Sequence, residues 1–124
     1  MPPRNDEFTL FRPEVFMERI AGDADLAREM LGAFLEDAPE RLAELRAAVQ
    51  AADAHQVNRK AHALKGMVGV LRSQGVADLA LEVEKAGEEG DLDKAAGILP
   101  GLARLLEQLR EEVRAFLKTL PIHL

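Results

Sequence analysis

A chain of 124 residues, 48% apolar and 31% charged, is the size of one soluble domain with a real core. It has no cysteine, which excludes disulfides and thiolate metal centres, and its net charge of −6 argues against nucleic acid as a main partner. Nothing at the N-terminus reads as a signal peptide and no apolar run is long enough to cross a membrane, so the expected setting is cytoplasmic.

All five aromatic residues are phenylalanines, while alanine and leucine dominate, a mixture that favours helix over strand. The predicted class is all-α: an antiparallel four-helix bundle with a short extra N-terminal helix. Residues 1–12, with Pro2, Pro3 and Asn5, read as a flexible arm. Residues 13–120 read as the single bundle domain and 121–124 as a tail, in which His123 would be mobile. Pro13 suits the first turn of a short helix to Ile20, whose Val15, Phe16 and Ile20 would close one end of the core.

Asp23 or Asp25 can cap the next helix, which runs to about Ala51. Leu31, Phe34, Ala38, Leu42, Leu45 and Val49 recur every three or four residues, as one buried stripe requires. Pro39 should kink or split this helix, and the unbroken register after it favours a kink. Asp53, with Gln56 three residues on, begins a third helix with Val57, Ala61, Leu64, Val68 and Leu71 toward the core. Ser73 is a candidate cap for a fourth, with Val76, Leu79, Ala80 and Val83 inward. "GEEGD", Gly87–Asp91, is a stop followed by a start. The last helix carries Leu102, Leu106, Leu109, Val113, Phe116 and Leu120, and Pro100–Gly101 leaves "LDKAAGIL" as a separate turn or a kinked leader. The same helix could instead offer a dimer seam, although a monomer is the expected state.

The chemistry concentrates in the third helix. The chain holds 22 Asp and Glu, yet none lies between Ala54 and Ala77, where Arg59, Lys60, Lys65 and Arg72 are found. Such a stretch suits an anion or an acidic partner. Within it, His62, Lys65, Gly66 and Gly69 share one helix stripe. Neutral imidazole is a nucleophile, a lysine one turn on can neutralise an anion placed on it, and two glycines clear ground for a large partner. These are the requirements for taking a phosphoryl group from another protein. No phosphate-cradling loop or kinase signature is present, so the chain should not draw that group from ATP itself. Arg59 and Lys60 are placed to steer the partner. His55 lies about 10 Å from His62 by helix rise, too far to share a metal ion, and reads as rim.

"AHALKG", Ala61–Gly66, together with "LALEVEKAGEEGD" downstream, resembles the histidine-containing phosphotransfer (HPt) domains of bacterial two-component phosphorelays. The resemblance spans roughly Phe34 to Asp91. It implies that His62 accepts the phosphoryl group, Lys65 assists it and Gly66 gives the receiver room. It implies response regulator receivers and a hybrid histidine kinase as partners, no cofactor in this chain and a divalent metal on the receiver. Met67 stands where a small residue is common and Arg72 where glycine is common, departures that bear on partner preference. Two other readings share the fold: the phosphotransfer domain of a chemotaxis-type kinase, which the lack of a kinase domain disfavours, and a non-catalytic adaptor.

Overall fold

The computed structural model describes residues 9–121, and the expectations for residues 1–8 and for His123 lie outside them. Five helices follow one another: α1 (Pro13–Arg19), α2 (Ala24–Gln50), α3 (Ala54–Val70), α4 (Gln74–Glu89) and α5 (Leu92–Leu117). No strand occurs among the described residues. Helices α2 to α5 pack in a closed ring, each against its chain neighbours and α2 against α5, and the short links between them reverse direction. The α3–α4 contact is the most extensive.

Aspartates start three of the helices. Asp23, Asp53 and Asp91 accept from the N–H of Leu26, Gln56 and Lys94 at 3.0, 3.2 and 3.1 Å, each satisfying one orphan donor of a first turn. Ser73 stands at the corresponding position before α4 but makes no capping bond; it is fully buried and its hydroxyl has no partner among the described residues. The ends of α1 to α4 are alike. After α3, Arg72 N–H bonds the Gly69 carbonyl and Ser73 N–H the Val68 carbonyl, a Schellman closure with Arg72 left-handed at φ +61°. Ala21 and Ala52 hold the same left-handed place after α1 and α2, at φ +56° and +55°.

The core follows the predicted stripes closely. Val57, Ala61, Leu64, Val68 and Leu71 are all buried, as are Leu102, Leu106, Leu109 and Val113 of α5. Leu79, Phe116 and Leu120 lie at its margin, partly buried. In α2 the stripe ends on Ala48 rather than Val49, which is only partly covered, and Val15 of α1 is exposed where a core position was expected.

The arm expectation fails for residues 9–12. Phe11 is fully buried, its ring 5.4 Å from that of Phe116 and 5.8 Å from that of Phe16. One oxygen of Glu112 accepts from the N–H groups of Leu10 and Phe11, both at 2.9 Å. Burial of a large aromatic outweighs the prolines that suggested a loose segment. At the other end, the Pro121 carbonyl accepts from the Arg28 guanidinium of α2.

Neither internal proline divides a helix: α2 is continuous through Pro39 and α5 through Pro100. Proline at 39 removes the N–H that would bond the Leu35 carbonyl. Arg110 of α5 fills the gap, its Nη2 donating to Leu35 O at 3.1 Å while Nη1 holds Glu107 at 2.8 Å. A cross-helix side chain thus replaces the missing backbone bond, which is why the stripe continues in register. Replacing Arg110 with Leu leaves that carbonyl unpaired and should lower unfolding stability by about 1–2 kcal/mol in urea titration, whereas the same change at exposed Arg104 should cost little.

Candidate functional site

At about 100° per residue, His55, Arg59, His62, Gly66 and Gly69 form one outward stripe of α3. All five are exposed. A Cβ built on Gly66 or Gly69 meets nothing within 4 Å, so these glycines keep open ground rather than relieve a clash. Lys65 sits between the outward stripe and the core and leans toward α4. Lys60 lies some 200° from His62 around the helix. It faces α2 and pairs with Glu44 at 3.0 Å, so the structure does not bring it to His62. Arg59 stays on the histidine's side with no ion pair among the described residues.

The centre of the site is a carboxylate that the residue pattern did not single out. Glu84 of α4 bonds His62 Nδ1 through Oε1 and Lys65 Nζ through Oε2, the latter at 2.9 Å. Its side chain is 13% exposed, against 68% for His62. Burial pushes the Glu84 carboxyl up, but hydrogen bonds and charge from Lys65 and His62 outweigh it and hold the group below the ordinary glutamate range. Glu84 is therefore an ionised acceptor at neutral pH, and Nδ1 of His62 must carry the proton that joins them. In the neutral ring Nε2 then keeps the lone pair, and the ring is two-thirds in solvent.

Two features of the α3–α4 packing deliver Glu84 to this position. Gly87, one turn on, lets the helices cross closely: a Cβ there would lie 2.6 Å from Asn58 N and 3.1 Å from Ala54 O. Asn58 Nδ2 donates to the Glu84 backbone carbonyl at 3.0 Å, tying the residue itself to α3. The signal for Glu84 in the sequence is slight. It is one of several acids in α4, and only the packing of that helix distinguishes it from solvated neighbours such as Glu82 and Lys85.

South of the histidine, toward the C-terminus of α3, the open strip runs into a cavity of about 400 Å³ between α1, α2 and α3. Gly66, Gly69 and Val70 form its α3 wall. Among the described residues no helix is long and apolar enough to cross a membrane.

The family model described as the Hpt domain matches residues 29–112. The chain is also similar in structure to histidine-containing phosphotransfer protein B (HptB) from Pseudomonas aeruginosa PAO1, with a TM-score of 0.83 and 24% identity. That match covers 90% of this chain and 96% of the other, and establishes the fold. No curated protein sequence matches. The family match takes in all of α3, all of α4 and the shared carboxylate between them. The chain belongs to the Hpt domain family, the histidine phosphotransfer carriers of two-component phosphorelays.

Proposed function

We propose that His62 is the phosphoryl acceptor and that its Nε2 is the atom that reacts. The observation that carries this reading is the Glu84 carboxylate on Nδ1, which makes Nε2 the free nitrogen of the neutral, mostly exposed ring. The donor is the aspartyl phosphate of a receiver domain, or the phosphohistidine of a hybrid kinase. Nε2 attacks phosphorus and an N–P bond forms, while the P–O bond to the donor aspartate (or the P–N bond to the donor histidine) breaks with its electron pair returning to that carboxylate or imidazole. The ring keeps its Nδ1 proton and gains positive charge as it reacts, which Glu84 stabilises. Return transfer to a second receiver reverses each step.

Lys65 lies within reach of both groups. Held by Glu84 before transfer, its ammonium is placed one turn from Nε2, where it offsets the charge of an arriving phosphoryl group. Gly66 and Gly69 admit the receiver, and Arg59 assists its approach. The chain supplies no nucleotide site of its own in this reading. The divalent cation that phosphoryl transfer from an aspartate needs is held by the receiver, and the protein works as a cytoplasmic monomer.

His62→Gln should abolish labelling by phosphorylated receiver domains while leaving the melting temperature nearly unchanged, since the side chain lies mostly in solvent. The label on the wild type should be acid-labile and base-stable; persistent labelling of the variant would remove His62 from the role. Glu84→Gln retains a hydrogen-bond acceptor but no charge, and should slow transfer by about ten- to a hundredfold in rapid-quench kinetics.

The same substitution has a signature in stability. A carboxyl held below its unfolded range stabilises the fold above that range, and the contribution is lost as pH falls through the lowered value. Wild type should therefore lose stability more steeply than Glu84→Gln on acidification below the ordinary glutamate range, as followed by denaturant midpoints at stepped pH.

A further inference from the structure

The cavity beyond Gly69 has an apolar floor, made by Phe16, Ile20, Met30 and Val70, and two arginines on its rim, Arg19 and Arg72. No carboxylate lines it, although acids outnumber bases by 22 to 16 in the whole chain. Neither guanidinium has an ion pair or hydrogen bond among the described residues, whereas Lys60 and Lys65 are both engaged by carboxylates. Val70 is 53% exposed, so the apolar lining is continued onto the surface. The cavity opens one turn from His62, about 6 Å along the axis at Gly66, well inside the footprint of one docked protein.

Arg72 holds this place against its backbone. It occupies the left-handed position of the α3 closure, at φ +61°, where glycine is the least strained residue. The equivalent position after α4 is Gly90. Among the described residues, the two other non-glycine residues in such positions are alanines, the smallest side chain with a Cβ, so there Arg72 alone projects a long charged group from one.

Resting on the receiver-transfer reading above, we infer that Arg19 and Arg72 select among receivers. The favoured partner surface carries an apolar side chain that seats in the cavity and a carboxylate beside it that meets the arginines. The receiver's phosphorylated aspartate then reaches His62 from the glycine strip. A partner with a neutral surface at this place would bury the same apolar area but lose the attraction, and one with a basic surface would also meet like charge. Because the arginines stand at the rim, they act on encounter and on discrimination, in a manner that salt weakens.

The decisive variant is Arg72→Gly, which removes the guanidinium and relaxes the backbone at once. A purely structural role for Arg72 predicts that the variant is as active as wild type or better. Selection predicts opposite signs: a raised melting temperature together with transfer slowed about tenfold at low salt from the receiver that exchanges fastest with wild type. The difference should shrink at high salt, and Arg72→Lys, which keeps the charge, should retain the salt dependence. Labelling of His62 by the small donor phosphoramidate should be equal in all three proteins. Equal receiver transfer by Arg72→Gly and wild type at low salt would overturn the inference and leave the receiver reading standing. A slowing that salt does not change, or an equal slowing with phosphoramidate, would also overturn it. A wild type that phosphoramidate labels but no receiver does would instead remove the receiver reading, and this inference with it.

Discussion

The site depends on one carboxylate shared by two side chains. Glu84 reaches from α4 to two side chains of α3 and binds each through a different oxygen, His62 through one and Lys65 through the other. An acid in that place must be ionised to serve both, and its cationic neighbours outweigh the burial that opposes ionisation. Once ionised it can only accept, so the direction of the His62 bond follows, and with it which ring nitrogen is free. In the proposed reaction, nucleophile, tautomer and cation are set by a single group that never touches the incoming phosphorus.

Packing within the bundle holds that group in place. The close crossing at Gly87 and the Asn58 bond to the Glu84 carbonyl fix α4 on α3. Opposite them, the Arg110 bond to the Leu35 carbonyl keeps α2 unbroken through Pro39, so that its apolar stripe supports α3 from behind. Each of these contacts spans two helices. The outward strip of α3 is exposed, and in the proposed function it receives the partner. A rigid scaffold with an open, glycine-cleared face suits a carrier whose contacts must form and release in each cycle.

Much of this was legible in the residue pattern and part was not, for physical reasons. Helical periodicity located all of the buried positions of α3, because a stripe at three and four has few competing explanations. The acid-free segment and the His-Lys-Gly spacing drew attention to His62, since a helix places such residues on one surface without help from the rest of the fold. Lys60 misled because charge content ignores direction: two residues from His62 turn it to the far side, where Glu44 claims it. Phe11 was hidden among prolines, and only packing against Phe16 and Phe116 reveals it as core. Glu84 lies 22 residues from His62 and its importance is a fact of the α3–α4 crossing. Periodicity within one helix carries no information about what the next helix brings to it.

The central claim is that Glu84 holds the Nδ1 proton and leaves Nε2 to react. Long-range nitrogen–proton correlation NMR of the selectively labelled His62 ring, recorded before and after phosphorylation, reads both halves of that claim. The account predicts an Nδ1-protonated ring in the resting protein and a phosphoryl group on Nε2 afterwards, with the Nδ1 proton retained. A resting ring protonated at Nε2, or a phosphoryl group found on Nδ1, would contradict it.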